Sequence, residues 1–494
     1  MARFPLALPP GVFRGGTRSQ SAGRYYDANL VRWYPTLGPI GGWAGITTTG
    51  ATVTGASRAA LAWKGNDART WLAIGTHNHL YAMDRFGAVT DITPAGFTSG
   101  RADAVAGGGY GTGTYGTGTY GTPRPDNTLV LDATQWTLDT WGENLLGVSP
   151  DDGKLYEWSL NTANDAVQVA NAPDCTAVVV TAERFVFALA TDDPRTVSWC
   201  DQEDNTDWTP SSTNQAGSFP LQSPGRLVCG KRVKGLTLLF TDLDAHAAQY
   251  IGGTLVYAFD RVGEGCGAIS RQCVASFGTG EAAWMSPGFN FWLWNGAGAI
   301  PLPCDVQDYI RTDINLLQVS KIFARVNAAN FEIEWYYVSS GSTEIDRCVV
   351  WQYKDNYWNI GREPRTCGVD KGIFQYPILV DSGNVIYNHE IAFGYGGDDP
   401  YATAGPIELG NGDNIMWVMG LYPDDATAGD VTASFTVRRN ADDSGTNYGP
   451  YTLTQKTDLR FGGGQVEVTF TGAAPSSWRV GTPKLELKQG EARG

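Results

Sequence analysis

From Ser57 onward the chain repeats one rhythm. A short apolar run leads to a Gly, Asn or Asp turn, and then to a second run with Trp or Tyr near its end. SRAALAWKG (57–65), TWLAIGTHNHLYAMD (70–84) and AVTDITP (88–94) predict three or four strands in under 40 residues, with turns at Asn66-Asp67 and Arg85-Phe86-Gly87. The unit recurs in WTLDTWGENLLGVSPDDGKLYEWSL (136–160), AVVVTAERFVFALATDDPRTVSWCD (177–201) and GLTLLFTDLDAHAAQYIGG (235–253). It continues in GEAAWMSPGFNFWLWNGAGAIPL (280–302), FEIEWYYVSSGSTEIDRCVVWQYKDNYWNIG (331–361) and GNVIYNHEIAFGYG (383–396). The aromatic positions are Tyr81, Tyr156, Trp158, Trp199, Trp294, Trp351 and Trp358.

Repeats of about 40–50 residues with several strands each are the signature of a β-propeller. One four-stranded blade cannot bury both faces, whereas a ring of blades does so and leaves only short edges. Residues 57–410 are therefore expected to form a mainly β, propeller-like body of about six to eight blades. Two packed sandwiches without a ring are the alternative. From 411 to 494 the pattern changes to a period of two, as in DVTASFTVRRN, which predicts a sheet with one wet face. This C-terminal β-sandwich-like domain would close with a strand from Lys484 to Lys488, standing alone or completed by residues 301–340.

Residues 1–56 carry no such period and read as an extended N-terminal arm. Its aromatics, Phe13, Tyr25, Tyr26, Trp33 and Trp43, must pack on something. The arm is either a strap over its own domain or a reach to a neighbouring subunit. Arg14, Arg18, Arg24, Arg32 and Trp33 are the candidate inter-subunit contacts. GGGYGTGTYGTGTYGTPRP (107–125) interrupts the body. It holds almost no core-forming side chain, and its glycines make a fixed shape costly in entropy. It is expected to be a loop that leaves the body and returns. Tyr110, Tyr115 and Tyr120 are candidates for gating a channel or touching a partner, and a plain surface insertion is the alternative.

The 62 glycines and 17 tryptophans suit short strands joined by tight turns with aromatic plugs. No apolar run approaches the roughly 20 residues of a spanning helix, so no stable membrane insertion is expected. The opening MARFPLALPPGVFRGG is too broken by Pro and Gly to read as a signal peptide. Cys175, Cys200, Cys229, Cys266, Cys273, Cys304, Cys348 and Cys367 form no CxxC pair, and His77, His79, His246 and His389 do not join them at zinc-like spacing. Buried free thiols and no cofactor are expected. A net charge of −15 leaves no basic patch to grip nucleic acid, but a wall of that sign would repel DNA and let it slide past.

Catalytic signatures are missing from the sequence: GxSxG, HExxH, a Walker loop and a meaningful GxGxxG are all absent. SWCDQEDNTDWTP (198–210) alternates Asp201, Glu203, Asn205 and Asp207 as calcium loops do, and loosely resembles the Asp-box hairpin of sialidases. It lacks the turn glycine and the closing Glu, so a hairpin with Trp199 and Trp208 docked between blades is expected instead. Acidic doublets such as Asp151-Asp152 and Asp192-Asp193 read as loop tips. His77 and His79 are expected to alternate along a strand, without a third ligand.

Three stretches carry a family resemblance: GGTRSQSAGRYYDANLVRWYPTLGPIGGWAG near the N-terminus, VSWCDQEDNTDWTPSSTNQAG at 197–217, and the tail from GPIELGNGDN at Gly405 to WRVGTPKLELKQGEARG. With them the chain resembles the tail nozzle (tail tubular protein B-like) proteins of short-tailed bacteriophages, and more distantly the phage hub or packaged-DNA stabilisation proteins. The resemblance implies a structural virion protein without enzymatic activity. It also implies a hexamer that docks on a tail adaptor, meets fibre or spike proteins, and surrounds a channel where double-stranded DNA is retained and then released without sequence-specific binding. Such a protein is made in the host bacterial cytoplasm and ends in the virion. The end Gly490-Glu491-Ala492-Arg493 departs from the paired Gly and Arg more usual there. A portal-plugging hub, or a propeller glycosidase or lectin acting on host surface glycan, are the competing readings.

Overall fold

Each repeat of the sequence but the last closes on itself as one antiparallel meander. In the computed structural model the described residues are 2–106, 130–409, 414–439 and 443–492. Among them, seven such sheets form blades. Blade 1 has Ser57–Lys64 as its inner strand, followed by Thr70–Thr76, Leu80–Asp84 and Ala88–Asp91. The inner strands of blades 2 to 6 are Thr137–Trp141, Ala177–Val180, Leu227–Val233, Val274–Phe277 and Phe323–Asn327, each followed outward by three more strands. Blade 7 runs Cys367–Val369, Ile378–Val380, Ile386–His389, and takes its fourth strand, Trp43–Gly45, from the N-terminal segment. Each inner strand packs on the next, and Cys367–Val369 packs back on Ser57–Lys64, which closes the ring. The body is a β-propeller.

The aromatic positions of the repeat fill the seams between blades. Trp158 lies edge-on to Trp71 (5.1 Å) between blades 2 and 1, Tyr257 to Phe187 (4.7 Å) between blades 4 and 3, and Phe240 to Trp284 (4.9 Å) between blades 4 and 5. Phe291 reaches Trp335 (4.8 Å) across the seam of blades 5 and 6. One α-helix, Gln307–Asp313, stands among the described residues, in the connector between blades 5 and 6.

The C-terminal domain is a two-sheet sandwich. Val431–Arg438 alternates buried and half-buried along its length, as the period of two requires. Its partners differ from the expected ones. Residues 301–340 belong to blades 5 and 6 and their connector, and the sandwich is completed from the N-terminus. Ala2–Pro5 pairs with the last strand, and Tyr25–Asn29 pairs with Tyr401–Ala404. The last strand runs Lys484–Ala492, past the expected stop at Lys488, because Asn414–Tyr422 pairs with it as far as Ala492, while Ala2–Pro5 covers the other edge of Lys484–Leu487. The run 70–84 splits into two strands, so His77 and His79 sit in the turn between them. There His77 Nδ1 accepts from Ala56 N (2.8 Å) and His79 faces Asp91 (3.2 Å).

The N-terminal strap fits closely because of Gly41-Gly42. A Cβ at Gly41 would meet Glu390 Cα at 2.4 Å, and one at Gly42 would meet the Gly394 backbone at 2.5 Å. Only glycine allows backbones this close, and the strap can then deliver Trp43 to blade 7.

Candidate functional site

The candidate arm residues all have partners within their own chain. Arg14 lies 3.9 Å over the Tyr309 ring and 3.6 Å from Asp27. Arg18 forks onto Glu467 (2.7 and 2.6 Å), and Arg24 reaches Asp305 at 2.9 Å. Trp33 is buried between Tyr25 (5.0 Å) and Tyr357 (5.7 Å). Tyr110, Tyr115 and Tyr120 lie outside the described residues. The segments that flank their tract pair with one another, Val105 opposite Leu131 and Ala106 opposite Val130.

Arg32 leads into a buried charge cluster where the strap crosses blades 6 and 7. Its guanidinium donates to Glu332 (3.0 and 2.6 Å) and to Glu390 (3.0 and 2.7 Å). Arg325 forks onto Glu334 (2.9 and 2.5 Å), and Arg365 Nε donates to His389 Nε2 at 2.9 Å while stacking on Trp43. Burial and the positive charges of Arg365 and Arg325 hold His389 well below its ordinary pKa, so the ring is neutral. Burial raises Glu332 despite Arg32, whereas at Glu390 burial is outweighed by Arg32, Arg325 and an Asn327 hydrogen bond together, which lower it. Glu363 has the weakest partner, a Tyr336 hydroxyl donating at 3.3 Å. Burial first, and then Glu334 and Glu390, push its pKa up to about 7 against Arg365 and Arg325.

The folded chain therefore binds the Glu363 proton more tightly than the unfolded chain does. That contribution is fully present below the ordinary value of 4.5 and is lost as pH rises through about 7. Glu363→Gln keeps the acceptor for Tyr336 without the charge. It is expected to match the parent near pH 4.5 and to exceed its stability by about 3 kcal/mol at pH 8, measured by denaturant unfolding at both pH values.

The other concentration of chemistry lies along the ring's axis. At one mouth, side chains from residues just before the inner strands cross between blades. Gln272 Nε2 donates to Trp136 O (2.6 Å), joining blade 5 to blade 2. Arg271 Nε donates to Thr176 O (3.3 Å), joining blade 5 to blade 3, and Gln135 Nε2 donates to Ile322 O (3.3 Å) beside blade 6. The 3-10 helix Leu316–Lys321 caps this level: Gln318 exchanges two hydrogen bonds with the Ala104 backbone, and Ser320 accepts from Ala133 N. Beside the cap is a cleft of about 790 Å³. Arg226 lies there 3.5 Å from both Asp132 and Asp242.

Below the crossing lies a channel chamber of about 290 Å³, walled by the inner strands. Asp139, Lys231, Arg232 and Arg271 line it, and Arg271 also faces the cleft. Asp139 accepts from the backbone N–H groups of Val180 and Thr140, both at 2.8 Å. Burial raises the Asp139 pKa against those hydrogen bonds. Burial pulls Lys231 down despite Asp139, and Arg271 down despite Asp132. These residues escaped sequence reasoning. Their signal is positional: Gln135-Trp136 directly precedes an inner strand and Arg271-Gln272 stands one residue further back from another, a comparison that requires the blades to be aligned first.

The stretch at 198–210 ends the strand Thr196–Trp199 and starts the long connection to its hairpin partner Gly217–Pro220, with Trp199 buried between blades 3 and 4 and Trp208 between blades 2 and 3. Its polar groups diverge: Asp201 accepts from Gln215 N, Glu203 faces Arg184, Asn205 donates to Glu157, and Asp207 accepts from Asn214. Among the described residues no three His, Cys, Asp or Glu side chains are grouped to hold a metal ion. All eight cysteines are free thiols, seven buried and Cys304 partly so.

No known family model and no curated protein matches the sequence. Among solved structures, virginiamycin B lyase from Staphylococcus aureus is similar at 7% identity, over 70% of this chain and 97% of its own, with a TM-score of 0.42. An exo-β-1,3-galactanase from Phanerochaete chrysosporium with galactose is similar at 8% identity, over 91% of this chain and 100% of its own, with a TM-score of 0.29.

Proposed function

We propose that this protein is a structural subunit of a short bacteriophage tail nozzle, without catalytic activity, that surrounds the DNA exit path as one of several copies. The observation that carries the geometry of this reading is the closed channel mouth. A duplex whose major groove alone is about 12 Å wide cannot thread a ring crossed by Gln272 and Arg271, so the DNA path belongs between copies. A net charge of −15 per subunit supports the reading, because a wall of like charge lets DNA slide without gripping it. In this assembly the arm, already clamped to its own sheets, meets neighbours or the adaptor as a rigid block, and the tyrosine tract is the contact for a fibre protein or the lumen.

The mass of the assembled species, measured on the purified chain with and without its tail adaptor, tests this. A ring of six that forms with the adaptor, with no glycan turnover and no saturable glycan binding, is the expected result. A monomer in both cases that cleaves or saturably binds host glycan would replace the nozzle reading with an enzyme or a lectin.

A further inference from the structure

The channel chamber is cationic in a protein that is otherwise acidic. Lys231, Arg232 and Arg271 line it against the single carboxylate of Asp139. That carboxylate already accepts two backbone hydrogen bonds. Among the described residues, Lys231 and Arg232 make no side-chain hydrogen bond or ion pair. Arg271 makes one hydrogen bond, to the Thr176 carbonyl. The adjoining cleft carries Asp132, Asp192 and Asp242; Asp132 and Asp242 flank Arg226, and Asp132 also acts on Arg271, so the cleft relieves Arg271 in part and leaves Lys231 to the chamber. Arg232 is exposed and Lys231 and Arg271 are half-buried, so three cations face one anion in a chamber that is partly open to solvent.

We propose that this chamber is a binding site for a phosphate group, entered from the cleft past Arg271. Charge selects phosphate over carboxylate. A phosphate monoester carries close to two negative charges at neutral pH and three strong acceptor oxygens, whereas a carboxylate supplies one charge. The donors suit it: a guanidinium binds two oxygens at once, and an ammonium acts as a point charge. Size agrees as well. At about 30 Å³ per water, 290 Å³ holds on the order of ten waters, ample for one phosphate and too small for a duplex. Bound phosphate would also favour the charged form of Lys231, which burial disfavours. The phosphate is either free or the end of a larger molecule whose remainder lies in the cleft.

Isothermal titration of the full chain tests this with inorganic phosphate, a nucleoside 5′-monophosphate and acetate, at matched ionic strength and pH 7.5. Saturable binding of either phosphate compound is expected, weakened at least tenfold in Lys231→Met and in Arg271→Gln. Arg261→Gln, at an exposed position on blade 4, should bind as the parent does. Binding of inorganic phosphate assigns the free ion, and binding of the monophosphate alone assigns a larger phosphomonoester. A second readout avoids substitutions altogether: phosphate should slow acylation of Lys231 by an amine-selective reagent, read by peptide mass spectrometry, and leave the exposed Lys234 unaffected. Absence of saturable binding by both phosphate compounds, acetate binding equal to phosphate, or unchanged affinity in both chamber variants would overturn the proposal.

Discussion

Removal of residues 1–30 is expected to unfold the C-terminal sandwich rather than trim a loose end. Ala2–Pro5 covers one edge of the last strand, with Ala2 opposite Leu487 and Pro5 opposite Lys484. Tyr25–Asn29 covers the edge at Tyr401–Ala404. Leu6, Val12, Tyr25 and Leu30 are buried at 0–5% exposure, and at about 1.5–3 kcal/mol for each large apolar side chain their loss amounts to roughly 6–12 kcal/mol. That equals the whole stability of an ordinary domain, about 5–15 kcal/mol. Two bare strand edges would add an aggregation hazard. Hydrogen exchange should show residues 401–492 of the truncated chain exchanging as unfolded chain, with blades 2 to 5 still protected. Native protection in the sandwich would show that the arm is dispensable to it.

Arg32→Ala is expected to destabilise the full chain by about 3–5 kcal/mol, the cost of breaking a buried ion pair from one side. Arg32 holds two carboxylates with four hydrogen bonds, and Glu332 is itself almost fully buried. Without the guanidinium both carboxylates remain enclosed near Glu334 and Glu363, and like charges then repel. Arg32→Lys should recover only part of the loss, because an ammonium cannot fork onto two carboxylates. Arg32→Met combined with Glu332→Gln and Glu390→Gln should recover most of it, because no unpaired charge remains. Denaturant midpoints of the four chains at pH 7 check the order. An Arg32→Ala chain as stable as the parent would mean that water reaches these carboxylates.

Both effects arise from one feature of the topology. A ring of blades has to be closed, and covalent continuity along the chain cannot close it. Trp43–Gly45 therefore completes blade 7 from the far end of the sequence, and the strap that brings it there is anchored by Arg32 and by Trp43, which stacks on His389 and lies beneath Arg365. The strap thus holds the propeller and the sandwich together. Tyr357 Oη donates to Trp33 O, Asn359 Nδ2 to Val31 O, and Arg362 N to Asn29 Oδ1.

The sequence determined the strands and the ring, because those depend on local periodicity. Apolar runs and Gly, Asn or Asp turns placed Ser57–Lys64 and Ala88–Asp91, and the recurrent Trp and Tyr marked positions that became the seams between blades. Only the tertiary structure decided what lies far apart in sequence. Pairing of Ala2–Pro5 with the last strand is a matter of which edge is left open once everything else has folded, and no local pattern encodes it. The Arg32, Glu332 and Glu390 cluster joins Arg32 to carboxylates 300 and 358 positions away, and the sequence marked Arg32 only as a candidate contact to a neighbouring subunit. Likewise Lys231 and Arg271 acquired a shared chamber only when five inner strands came round one axis. Charge on a strand reads as solvent-facing in sequence, and it is the closing of the ring that turns such a face inward.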